Sequence, residues 1–227
     1  MNMPTTRPGL RFRPLVWALL LGCILTYPFS PAVSRPPGDK RDYILVINTY
    51  AESTPWSRGI IADITAHVEQ IENLELYTEH MTLLLVDSPE DIRTFEANLL
   101  REYGKKPPQA LVLIGTPAAL LRNFINSIWQ DIPTIVCAEQ DFIGPDKYYL
   151  KRQPIPASEQ VPLRALADQD NLTLLYSPAY LDQSVDLMKR ILPGMDRLVF
   201  IDDARYVNRQ TEHDLAELLG SKYPGMK

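Results

Sequence analysis

Residues 42–64, "DYILVINTYAESTPWSRGIIADI", decide how the rest of this chain is read. Tyr43 to Ile47 is an unbroken apolar run, as expected of a parallel strand covered on both faces rather than one with a wet side. The run stops at Asn48, and a helical pattern takes over near Ser57. From Arg58 to Ile71, the residues Ile60, Ile61, Ile64, Val68 and Ile71 fall on one helical face, which predicts a helix packed back on the strand. Between the two lies Thr49–Ser57, rich in hydroxyls and aromatic rings and longer than a turn requires. Its position after a parallel strand is where open α/β sheets hold their ligands.

Working outward, the same alternation repeats. Leu74–Tyr77 reads as a weaker strand, and Met81–Val86 as strand or coil. Ser88-Pro89-Glu90-Asp91 is a strong helix start, with a serine cap, proline in the first turn and acids beside the positive end of the helix dipole. That helix runs to about Tyr103 and stops at Gly104. Ala110–Ile114 is a second fully apolar strand, and Gly115-Thr116-Pro117 opens a helix reaching Trp129. Thr134–Ala138 is the next strand, ending in Glu139-Gln140-Asp141-Phe142. Short connections between alternating strands and helices predict an α/β fold, a Rossmann-like parallel sheet with helices on both faces. Residues 147–170 break the rhythm with prolines. Leu172–Tyr176 and Arg197–Ile201 then read as strands, and Leu181–Leu192 and Gln210–Leu219 as helices. The expected organisation is a first lobe over 42–145, a crossover over 146–170, and an incomplete second lobe over 171–227. Two strands make a thin sheet with exposed edges, so the chain reads as a fragment in preference to a complete small protein.

The N-terminal 34 residues read as a targeting segment. Arg7, Arg11 and Arg13 precede the apolar stretch Leu15–Leu25, and Ala32-Val33-Ser34 supplies small residues for signal peptidase. The stretch is short against the roughly 20 residues of a membrane span. A cleaved signal comes first, an uncleaved anchor second, and a lipoprotein box at Leu20–Cys23 third; residues 35–41 form a linker. Each alternative places the remainder outside the cytoplasm. Cys137 is then the sole cysteine of the mature part, expected as a small buried hydrophobe.

Composition narrows the function. With 23 Lys and Arg against 28 Asp and Glu, the net charge of −5 argues against a nucleic-acid surface. No phosphate-cradling, nucleophile-elbow or dinucleotide motif is present, and His67, His80 and His213 lack metal-ligand spacing. No catalytic residue, metal or cofactor is therefore assigned. The acidic pair in "RLVFIDDARY" has the look of a phosphoacceptor receiver domain, but too little chain follows it for the strand bearing the acceptor. The residues at strand carboxyl ends carry the binding reading. They are Thr49, Tyr50, Trp56 and Ser57, then Gly115 and Thr116, then Glu139, Gln140 and Asp141, and finally Asp202 and Tyr206. Rings beside hydroxyls and carboxylates suit a small polar ligand such as a sugar.

These stretches together resemble a family. "ILVINTYAESTPWSRGI", "PQALVLIGTPAALL", "IPTIVCAEQDF" and "DRLVFIDDARYVNRQ" are similar, in order and spacing, to landmarks of periplasmic ABC-type substrate-binding-like sensor domains. Those domains form the extracytoplasmic part of hybrid two-component sensor histidine kinases. Ala138-Glu139-Gln140 departs from the family's Gly-x-Asn region. The resemblance covers residues 42–227 and implies a type I periplasmic-binding-protein fold, truncated in its second lobe. It implies a small solute held between two lobes, hinge closure as the signal, and a periplasmic address at the cytoplasmic membrane. Attachment would come through an N-terminal anchor or a missing C-terminal transmembrane helix, and homodimerisation is among the expected associations. The alternative is a free-standing solute-binding protein of an ABC transporter. A secreted α/β enzyme would need Asp141, Asp202 or Asp203 as its catalytic acid.

Overall fold

A computed structural model describes residues 41–82, 85–167 and 171–226. The chain divides into two units, Met1–Arg35 and Pro36–Lys227. The expected targeting segment and all but the last residue of the linker lie outside the described residues, which all belong to the second unit. Among the described residues no helix is long and apolar enough to cross a membrane.

Five parallel strands form the sheet: β1 (Asp42–Asn48), β2 (Leu74–His80), β3 (Ala110–Ile114), β4 (Thr134–Ala138) and β7 (Leu172–Tyr176), in the order β2-β1-β3-β4-β7. β1 is paired on both sides, with Tyr43 opposite Glu75 of β2 and Leu45 opposite Leu111 of β3. Its alternating residues enter different layers, as a strand buried on both faces requires. Tyr43, Leu45 and Ile47 join Leu111, Leu113 and Val136. Against that face pack α2 (Pro89–Tyr103), through Ile92, Leu99 and Tyr103, and α3 (Arg122–Ile128), through Ile125. Val46, Val112, Ile114 and Cys137 face the other way, where α1 (Pro55–Val68) supplies Ile60, Ile61 and Ile64. The fold class is therefore α/β with a parallel sheet of Rossmann-like order.

Local chemistry set most of the boundaries. At the start of α2 the Ser88 hydroxyl accepts from Asp91 N–H, while the Asp91 carboxylate accepts from Ser88 N–H at 2.9 Å. This capping box satisfies two donors that the first turn would otherwise leave orphaned. α1 begins at Pro55, two residues before Ser57, because proline fits the first helical turn, where no N–H is needed. The segment expected as one helix from Gly115 to Trp129 is instead a 3₁₀ stretch, Thr116–Leu121, followed by α3. Asn171, at the Asn-Leu-Thr triplet, is a turn leading into a strand: its backbone has φ 36°, and its side-chain amide donates to Asp131 O at 3.0 Å.

The expected lobe boundary needs correction. Leu172–Tyr176, expected to start a second lobe, pairs in parallel with Thr134–Ala138 and extends the first sheet. The 146–170 crossover carries α4 (Asp146–Lys151) and α5 (Leu163–Ala167), and its short β6 (Val161–Pro162) pairs antiparallel with β5 (Phe142–Ile143). Leu163 and Leu166 of α5 are buried in the core beneath the sheet. Beyond β7 lie α6 (Leu181–Ile191) and α7 (Tyr206–Lys222), joined through Val185, Leu215 and Tyr223. Arg197–Ile201, expected as a strand, joins no ladder among the described residues, and Val199 and Ile201 are 82% and 89% exposed. An apolar extended run becomes a strand only beside a partner.

α7 is anchored to the first sheet's layer as well. Gln210 is fully buried and accepts from Ile155 N–H at 2.8 Å, and the Tyr206 ring lies 4.4 Å from that of Tyr149. Val207 packs with the α1 side of the sheet. These contacts hold the N-terminal end of α7 over the carboxyl ends of β1 and β4.

Candidate functional site

The site begins with Asn48, the buried last residue of β1. Its side-chain oxygen accepts from Tyr50 N–H at 3.0 Å, and its amide donates to Ser57 Oγ at 3.3 Å. One side chain thus turns the loop and ties its far end to α1, which is why Thr49–Thr54 projects past the sheet instead of continuing it. Thr49 is buried under the loop, with its hydroxyl donating to Ile114 O at 3.0 Å. Gly115 lies directly against it at φ 95°, in the left-handed region that glycine tolerates.

Above this floor is a cavity of about 320 Å³. Thr49, Tyr50, Ala51, Ser53, Thr54 and Pro55 line one wall, with Pro117 and Glu139 from the ends of β3 and β4. Asp203, Arg205, Tyr206 and Val207 form the opposite wall, and Thr82 and Arg152 complete the rim. A neighbouring cavity of about 390 Å³ shares Tyr50, Thr54, Pro55, Glu139, Arg205 and Val207 and adds Trp56 and Ser177. The Tyr50 and Trp56 rings meet edge to face, with centroids 5.7 Å apart, and Trp56 remains 37% exposed.

Glu139 stands where the two cavities meet. Its Oε1 accepts from the Tyr50 hydroxyl and its Oε2 from Thr116 N–H at 3.2 Å. Burial pushes its carboxyl above the ordinary glutamate range, against the opposing pull of those donors and of the Arg205 charge. The Tyr50 hydroxyl is raised by burial first and by the adjacent carboxylate second, so it stays protonated and keeps donating. A carboxyl whose folded value is raised contributes stability below its unfolded value and loses it as pH rises through the folded value. Glu139→Gln is therefore expected to raise the melting temperature at neutral pH. Its advantage over the parent should shrink to nothing as pH falls below the glutamate range; melting curves across pH measure this, and a constant difference would contradict it.

Of the residues singled out from sequence, Thr49, Tyr50, Glu139 and Tyr206 line the first cavity and Trp56 the second. The others do not reach either one. Ser57 is fully buried and holds Asn48. Gly115 and Thr116 lie beneath the floor, where the Thr116 hydroxyl accepts from Gln140 N–H at 3.3 Å. Gln140 is itself buried, turned away from the cavities. Asp141 uses its carbonyl to accept from Leu163 N–H, starting α5. Asp202 pairs with Arg209 at 3.4 Å, one turn into α7. The charged lining residues not singled out are Arg152, from the end of α4, and Arg205. Arg205 stands one place before Tyr206, and the aspartate two places before it was the signal that could have found it. Among the described residues no cluster of His, Cys, Asp or Glu could hold a metal ion. Compared with known proteins, the chain matches no protein-family model, no curated protein and no solved structure.

Proposed function

We propose that this chain is an extracytoplasmic small-molecule sensing domain, of the kind borne by membrane-bound two-component sensor kinases. One observation carries the reading. The cavity lies at the carboxyl ends of β1, β3 and β4, between loops of the first sheet and the Asp203–Val207 segment that enters α7 from later in the chain. A solute in that space touches both walls at once. It stabilises whichever arrangement brings them together, and this differential affinity is all that a binding-driven switch requires. Apolar walls with a few convergent polar groups are the usual make-up of small-molecule sites.

The test is a thermal-shift screen of small solutes on the full chain, followed by calorimetry on each hit. A bound solute is expected to change the emission of Trp56, and Trp56→Phe to abolish that change. A solute bound by calorimetry that leaves Trp56 emission untouched would move the site elsewhere. A transmembrane segment and kinase encoded in the same reading frame would accord with the sensor role, whereas a gene for this chain alone beside transporter genes would favour a free-standing solute binder.

A further inference from the structure

Donors and acceptors are unequally supplied in the cleft. Asp203 holds Arg205 from behind: its Oδ1 accepts from Arg205 N–H and from Nε, both at 2.9 Å, and its Oδ2 accepts from Nε at 2.8 Å. Asn208 donates to the same carboxylate at 2.8 Å. On its face, the guanidinium lies 5.7 Å from the centroid of the Tyr50 ring. The inner edge of Arg205 is thus fixed, while its two terminal nitrogens have no protein acceptor among the described residues. Arg205 lines both cavities. The two carboxylates nearby are already engaged, Asp203 by Arg205 and Asn208, and Glu139 by Tyr50 and Thr116. What the outer edge of Arg205 lacks is an acceptor.

We propose that the outer edge of Arg205 docks the carboxylate of a small monocarboxylate, whose remainder lies along Tyr50 toward Trp56. This rests on the cleft being a ligand site and adds the ligand's chemical class. A planar fork with one edge immobilised gives two parallel charge-assisted hydrogen bonds to a carboxylate at little further loss of freedom. A dianionic phosphate fits less well, because Glu139 and Asp203 share the lining. A cation would find both carboxylates occupied and a guanidinium facing it.

Glu139 makes the affinity pH-dependent. The charged or titratable groups around it are Tyr50 from the β1 loop, Tyr149 and Arg152 from α4 and its end, and Asp203, Arg205 and Tyr206 at the start of α7. The three tyrosines are pushed up and stay neutral, and Arg205 holds Asp203 low and ionised. Glu139 is the carboxyl whose value is raised, so its protonation removes a like charge beside the ligand, and affinity rises as pH falls.

Calorimetry on the full chain with benzoate and with benzamide, its uncharged isostere, tests the assignment; glucose, choline and inorganic phosphate complete the series. Benzoate is expected to bind about tenfold more tightly than benzamide, the value of one charge-assisted hydrogen bond. Arg205→Lys, which keeps the charge but loses the fork, is expected to erase that preference with an unchanged circular-dichroism spectrum. Glu139→Gln is expected to leave benzoate binding flat with pH. Equal binding of benzoate and benzamide, stronger binding of phosphate, or an unaltered preference in Arg205→Lys would overturn the proposal. Binding of glucose or choline with a Trp56 response, but not of benzoate, would overturn it and leave the cleft as the ligand site. No binding by any of the five would overturn both.

Discussion

Tyr43→Ala is expected to cost about 3–5 kcal/mol, a large part of the stability of any single domain. Tyr43 is fully buried near the start of β1, its ring 5.5 Å from that of Tyr77 and 5.8 Å from that of Tyr103. The three rings fill the space between β1, β2 and α2, and alanine would leave a cavity with no short side chain nearby to close it. The hydroxyl donates to Lys106 O in the loop before β3, so the truncation also frees a carbonyl. Tyr43→Phe removes only that bond and is expected to cost about 1 kcal/mol. Urea denaturation with an unchanged slope measures both. Near-equal effects of the two variants would mean that the hydroxyl, not the packing, carries this position.

Gly115→Ala is expected to be about as harmful as a core deletion although it adds a single methyl, at about 3 kcal/mol from left-handed strain and overpacking together. At φ 95° an added Cβ would lie 2.2 Å from Thr49 Oγ1 and 3.0 Å from Tyr50 Cε2. Neither neighbour has room to retreat: Thr49 is bonded to Ile114 O, and Tyr50 is held by Asn48 and Glu139. The strain falls on the wall of the cleft, so ligand affinity should drop along with stability. Gly59→Ala is the control, since a Cβ there meets nothing within 4 Å and lies inside α1. It is expected to stabilise by about 0.5–1 kcal/mol. A Gly115→Ala protein with parental stability and an unmoved Tyr50 would refute the account of this turn.

The cleft is only half legible in the sequence. Tyr50 and Trp56 stand out because rings and hydroxyls directly after an apolar strand have few other uses, and both line cavities. Ser57 looks equivalent to them by position. It belongs to the framework because a buried asparagine at the end of β1 needs a partner, and Ser57 is within reach. Asp202 and Asp203 are adjacent and chemically alike, yet Asp202 faces Arg209 within α7 while Asp203 braces Arg205 at the cleft. Adjacent side chains in an irregular loop follow no period that would say which one points inward.

Sequence alone determined the α/β class, the strands that build the sheet's interior and the capped start of α2. All three rest on interactions along the chain or on runs apolar enough to demand burial from both sides. Tertiary structure decided the rest. Leu172–Tyr176 extends the first sheet and Arg197–Ile201 joins none among the described residues, although both are short apolar runs between loops. A strand's identity lies in its neighbours, and hydrogen-bonding partners distant in the chain leave no mark on local pattern. For the same reason Arg205 meets Tyr50 and Glu139 only once Tyr206 and Gln210 have docked α7 beside the sheet.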